Sequence, residues 1–190
     1  MNKLKISISP SMCLLLLFMI ATTPLPQLLG CLTAAAIHEC GHLAAAKLFS
    51  IDLTHIRLDV LGARLTTTGK LYAYPALACL CLGGPLVNLL CFFIALPFTQ
   101  HSVWISEFCL ASIALCVLNL IPIQGFDGGR VVQGLLCQLF DLRISEKICA
   151  ALSFCSLLIM WMLSIWLLLR SGASLSLFVF SCCLFSMLFL

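Results

Sequence analysis

Charge is what this sequence has least of: Asp, Glu, Lys and Arg together make up 9% of its 190 residues, against 63% for the apolar types. Soluble globular chains carry about a quarter charged residues. A chain this poor in charge cannot coat a water-facing surface, so lipid is the expected solvent for most of it. The basic residues stand singly and form no patch, so the small positive charge does not point to nucleic acid, and no nucleic-acid partner is expected. There are 13 cysteines but no CxxC pair, which excludes a thiolate zinc site and a thioredoxin-like motif. Most cysteines, among them Cys79, Cys81, Cys91, Cys109, Cys116, Cys149, Cys155, Cys182 and Cys183, lie inside apolar runs, where a reduced thiol acts as a small hydrophobe. No internal repeat, low-complexity tract or soluble tail is visible. Residues 1–190 are therefore read as a single integral-membrane domain.

What remains is a series of about six apolar stretches, each near the ~20 residues that a spanning helix needs. They run over Ile6–Thr23, Gln27–Phe49, Leu71–Phe98, Val103–Ile121, Ile148–Leu169 and Ala173–Leu190. The expected fold is an all-α polytopic membrane protein. Pro24 and Pro26 leave only a turn between the first two stretches. The first stretch follows Lys3 and Lys5 as a signal peptide would, but without a clear small-residue cleavage site it is read as a retained helix.

Basic residues set the orientation. With the N-terminus in the cytoplasm, the inner segments hold Lys3, Lys5, Lys47, Arg57, Arg64, Lys70, Arg130, Arg143 and Lys147, and Arg170 alone falls outside. Two inner connections have a pattern of their own. Leu53–Val60 alternates Ile56, Leu58 and Val60 with His55, Arg57 and Asp59; Leu61-Gly62 follows, then the threonine-rich Arg64–Thr68. That predicts a short membrane-associated β-hairpin. Pro122–Gln138 combines a glycine-rich turn with Val131, Val132, Leu135 and Leu136 at helical spacing.

An acid at the bilayer centre costs roughly 2.5–3.5 kcal/mol, so it marks a functional site by default. Only Glu39 and Asp127 sit clearly at apolar-segment depth. Glu39 belongs to His38-Glu39-Cys40-Gly41-His42, an HExxH pattern inside the helical run Ala34–Phe49. Histidines at i and i+4 project from one helix face and can grip one ion. Glu39 lies about 100° round the helix, beside that ion, where it can take a proton from the attacking water as general base. Cys40 faces away. A chance match would have to place half of the chain's 4 histidines in one apolar helix.

A catalytic zinc takes three protein ligands and keeps one position open. His55 falls in the hairpin and His101 on the opposite side of the membrane. Asp127, after the fourth stretch and on the same side as the exit of the second, is the better third ligand. Pro122 stops the helix before it, and Gly125, Gly128 and Gly129 let the chain turn back. One Zn2+ per chain with His38, His42, Glu39 and Asp127 is neutral, which removes most of the cost of burying it.

HExxH in the second helix, Gly83-Gly84-Pro85-Leu86-Val87-Asn88 after it, and Asn119-xx-Pro122-xxxx-Asp127-Gly128 later resemble the site-2 protease family of intramembrane zinc metalloproteases. By motif the resemblance covers residues 27–140, and by topology the rest. It implies that His38, His42 and Asp127 hold zinc, that Glu39 is catalytic, and that Asn119 and Pro122 position the third ligand, with Gly128 shaping the site. It implies regulated proteolysis at the membrane, with a membrane-associated protein as substrate, the bilayer as surroundings and a regulatory membrane protein as a further partner. The compact layout is most similar to the bacterial branch that processes sporulation sigma-factor precursors, in the cell membrane. Where such proteins often carry prolines before the aspartate, this chain has Gln124-Gly125.

Two readings stay open at neighbouring positions. Gly83, Gly84 and Pro85 suit ordinary helix packing as well as a site. Asn88 needs a polar partner in lipid, either nearby backbone or substrate. Other functions fit less well. A metal transporter would string polar groups through several helices, whereas these converge on one point. A catalytically silent scaffold of the same fold has no need of Glu39.

Overall fold

The computed structural model describes residues 5–59, 62–67 and 72–171. The chain divides into two compact units, Met1–Leu120 and Ile121–Leu190. The first contains strand β1 (Lys5–Ile8), helices α1 (Pro10–Thr22) and α2 (Leu25–Leu48), strands β2 (Leu53–Asp59) and β3 (Gly62–Thr67), helix α3 (Tyr74–Ala95), a 3₁₀ turn (Leu96–His101) and helix α4 (Val103–Leu120). The second contains α5 (Asp127–Leu139) and α6 (Leu142–Ser171).

Four helical stretches among the described residues are long and apolar enough to cross a membrane: Leu25–Leu48, Tyr74–His101, Val103–Leu120 and Leu142–Arg170. Their large apolar side chains remain outside the protein core, as Leu90, Phe93, Leu110, Ile159 and Trp166 illustrate. Lipid is the solvent that suits such a surface. The count of six is not reproduced over these residues. The stretch Ala173–Leu190 lies outside them, and the first stretch is not one helix. Lys5-Ile6-Ser7-Ile8 alternates with period two and forms a strand. Pro10 then opens α1, whose N-cap Ser9 accepts the Met12 N–H at 3.2 Å. At 13 residues α1 falls short of a span.

The hairpin forms as expected, with β2 and β3 antiparallel and Ile56 opposite Leu65. The unexpected strand β1 joins it in parallel, placing Ile6 opposite Ile56 and Ser7 opposite Arg57. The order β1-β2-β3 leaves β3 at the edge of the sheet. The turn between β2 and β3 lies outside the described residues.

Close packing in the first unit depends on small residues along α2. Ala34 is buried against Phe108 and Cys109 of α4. A Cβ on Gly30 would come within 2.8 Å of the Phe108 backbone nitrogen. One on Gly41 would strike the Gly83 carbonyl of α3, and one on Gly83 would sit 2.6 Å from the Gly41 carbonyl. The Gly41–Gly83 pair therefore fixes how near α2 and α3 approach. At its end α2 closes through Ser50, at a φ of 52°, with the Ile51 N–H bonded to the Ala46 carbonyl at 2.8 Å.

In the second unit, α5 starts at Asp127 and carries the Val131, Val132, Leu135, Leu136 spacing seen in the sequence. Helix α6 begins earlier than the apolar stretch suggested and includes Arg143, Glu146 and Lys147. Two of its buried serines donate to carbonyls three or four residues back: Ser145 to Asp141, just before the helix, at 3.1 Å and Ser164 to Trp161 at 2.7 Å.

Candidate metal centre

His38 and His42 are both buried on one face of α2. Their Nε2 atoms lie 3.2 Å apart. Two nitrogens bound to one tetrahedral zinc at 2.0–2.1 Å are separated by roughly 3.3–3.4 Å, so the pair is already spaced for a shared ion. The Nδ1 of His42 is 2.8 Å from the Leu80 carbonyl on α3. A carbonyl only accepts, so Nδ1 carries the hydrogen and, in the neutral ring, Nε2 is left with its lone pair for a ligand.

Residue 84 of α3, which has no side chain, stands directly beside both nitrogens. A Cβ there would sit 2.5 Å from His42 Nε2 and 2.7 Å from His38 Nε2. Gly83 and Gly84 thus have different duties, one packing against α2 and the other clearing the volume beside both ligand atoms. The sequence left that distinction open. Asn88, one turn further along α3, is fully buried and brings its amide to 3.3 Å from His38 Nδ1. Glu39 is half-buried beside His38, and Cys40 is exposed on another face.

Asp127 is placed by its own unit. Helix α4 ends at Leu120, and the chain turns through Pro122 and through Gly125, whose φ is +101°. The first turn of α5 packs so tightly on the preceding loop that a Cβ on Gly129 would collide with the Ile123 carbonyl. Asp127, Gly128 and Gly129 are all buried there. The carboxylate stands at the positive end of the helix dipole, with Arg130 Nη1 4.0 Å from Oδ1. The departure at Gln124-Gly125 now has a physical reason. The Gln124 N–H donates to Ser153 Oγ at 2.8 Å, a bond that proline would forfeit. The positive φ of Gly125 is closed to proline.

His38 and His42 on α2, and Asp127 at the start of α5, each offer one potential ligand atom. Two histidines and a carboxylate are a donor set zinc accepts. His55 is engaged elsewhere, its Nε2 3.0 Å from Ser7 Oγ, and His101 packs against Phe98. Asn119 donates to the Leu115 carbonyl at 3.0 Å within its own helix. Sequence reasoning missed the Leu80 carbonyl and Ser153. The first is a backbone group that any residue supplies; the second resembles every other serine in α6.

The model of peptidase family M50 matches residues 95–163, a stretch that holds Asn119, Pro122 and Asp127. No curated protein matches the sequence. Among solved structures, the fold is similar to the site-2 protease from Methanocaldococcus jannaschii, with a TM-score of 0.68 and 20% identity over 97% of this chain and 88% of that one.

Proposed function

We propose that this chain is a membrane metalloendopeptidase of the site-2 protease type, hydrolysing peptide bonds of membrane-associated proteins within or near the bilayer on the cytoplasmic side; the peptidase-family match supports this reading, and the structural similarity supports its fold. The observation that carries this reading is the histidine pair: two Nε2 atoms 3.2 Å apart, beside a volume that Gly84 keeps clear, with Glu39 next to His38. His38, His42 and Asp127 would hold one Zn2+. Bound there, the ion would polarise the scissile carbonyl and lower the pKa of the attacking water. Glu39 takes the proton from that water and delivers it to the leaving nitrogen. Burial of the ligands excludes bulk water from the reacting groups, which strengthens every charge interaction among them. The cytoplasmic side is supported by the basic residues, of which Arg170 alone falls outside when the N-terminus is placed inside.

Co-expression with candidate single-span substrates, set against Glu39→Gln, tests the class. Glutamine keeps the shape and cannot accept the proton. Site-specific cleavage should fall by roughly 10²–10⁴-fold while Zn2+ stays bound. Undiminished cleavage by that variant would remove Glu39 from the role of base. His55→Ala and His101→Ala should leave metal content unchanged, and zinc loss from either would overturn the ligand set.

A further inference from the structure

Asn88 is fully buried, lies in the middle of α3, and has its amide nitrogen placed 3.3 Å from His38 Nδ1 while its Oδ1 has no hydrogen-bond partner. The two atoms in contact are both nitrogens, so one must donate and the other accept. In that arrangement the amide donates, Nδ1 of a neutral ring is bare, and the ring hydrogen sits on Nε2. A metal cannot bind an Nε2 that carries hydrogen. Once Nε2 is a ligand, the hydrogen moves to Nδ1, which then requires an acceptor.

His42 has such an acceptor built in, the Leu80 carbonyl at 2.8 Å. At the corresponding nitrogen of His38 stands the Asn88 amide, 3.3 Å away. The nitrogen and oxygen of an amide occupy nearly equivalent positions, and which one faces a neighbour follows from the balance of donors and acceptors. Turning the Asn88 amide over about its last torsion presents Oδ1 to Nδ1–H at the same distance. This exchange does not remove the unpartnered atom; it moves that status from the oxygen to the nitrogen. Metal occupancy therefore selects the orientation, not the amide by itself.

We propose that Asn88 is the positioning residue for His38, its amide oxygen accepting the Nδ1 hydrogen that His38 carries whenever Nε2 binds metal. The inference rests on the metalloprotease reading above and extends it to a residue outside the ligand set. Asn88 fixes both the tautomer and the tilt of the ring, as the Leu80 carbonyl does for His42. An amide able to present either face also lets His38 remain hydrogen-bonded with and without metal, which a fixed carbonyl does not.

Zn2+ affinity of the purified full-length chain, measured by competition with a chromogenic chelator, tests this without reference to turnover. Asn88→Leu keeps the volume and loses the acceptor, and should weaken Zn2+ binding by at least about tenfold. Asn88→Asp keeps an acceptor at the same reach and should hold affinity within about threefold of the parent, or raise it. A smaller loss in the leucine variant overturns the assignment. So does a fall beyond threefold in the aspartate variant, which carries the test alone if the leucine variant does not fold. A melting temperature measured on metal-free protein separates packing from ligation: a purely structural asparagine would lower it in proportion to the lost affinity, whereas a positioning residue lowers the affinity alone. A parent chain that takes up no Zn2+ overturns the metalloprotease reading, and this inference with it. A parent that binds, alongside a leucine variant that binds equally, overturns only the role of Asn88.

Discussion

The histidine-bearing region and the aspartate-bearing region hold their candidate ligands by different means. His38 and His42 sit in the interior of a long helix, and their rings are aimed by a second helix far away in sequence, through the Leu80 carbonyl, Gly84 and Asn88. Asp127 sits at the first residue of a helix, and what aims it is local: the positive φ of Gly125, the contact between Gly129 and the Ile123 carbonyl, and Arg130 one turn on. A ligand aimed by tertiary packing should fail all at once when the packing helix is altered. One aimed by a turn should fail by degrees.

Gly84→Ala is the sharpest way to break the first arrangement. The new methyl group would lie 2.5–2.7 Å from both Nε2 atoms, in the volume where an ion would bind. Zn2+ content should fall to background and cleavage by at least roughly a hundredfold, on the scale of losing a ligand shell rather than one contact. Gly83→Ala, one residue away, is the contrast. Its methyl group would press on the Gly41 carbonyl and on Ala45 Cβ, so it should cost about 1–3 kcal/mol in stability by overpacking. Protein that still folds should retain its metal. Equal zinc loss in both variants, measured by elemental analysis, would erase the distinction between the two glycines.

In the second region the matching change is Gly129→Ala. The Cβ would meet the Ile123 carbonyl, which belongs to the same loop and can shift with it. An intermediate effect follows, with Zn2+ affinity about tenfold weaker and stability lower by about 1–3 kcal/mol. A chelator titration showing complete loss, as in Gly84→Ala, would mean that the loop is as rigid as the helix pair.

The same contrast explains what could be read from the sequence. HExxH states its geometry within five residues, because one helix turn carries the chemistry, and the rarity of charge makes Glu39 and Asp127 conspicuous. The hairpin and α5 followed from periods of two and 3.6 residues. Strand β1 did not, because its short alternation is continuous with an apolar run and one proline at residue 10 divides them. The aiming groups were hidden for another reason. Gly84 and Gly83 are the same residue with opposite duties, and a backbone carbonyl leaves no trace in composition. Asn88 could be marked as needing a partner, but only the fold puts His38 next to it.

The smallest expected effect concerns the loop before Asp127. Ser153 on α6 accepts the Gln124 N–H at 2.8 Å and donates to the Cys149 carbonyl at 2.8 Å, so one hydroxyl ties the loop to the helix. Gln124 is exposed, and water can replace the lost acceptor when Ser153 is removed. Ser153→Ala should therefore cost only about 0.5–1.5 kcal/mol and weaken Zn2+ by less than tenfold. Gln124→Pro deletes the same bond from the other side and adds whatever strain the fixed proline φ imposes. If the bond is what matters, the two changes overlap: Gln124→Pro should cost less in the Ser153→Ala background than in the parent, by about the energy of that one hydrogen bond. Thermal melts of the four proteins in such a cycle give the coupling directly. Strict additivity would mean that the loop is held by Gly125 and Gly129 alone, and that the Ser153 hydroxyl serves chiefly the Cys149 carbonyl of its own helix.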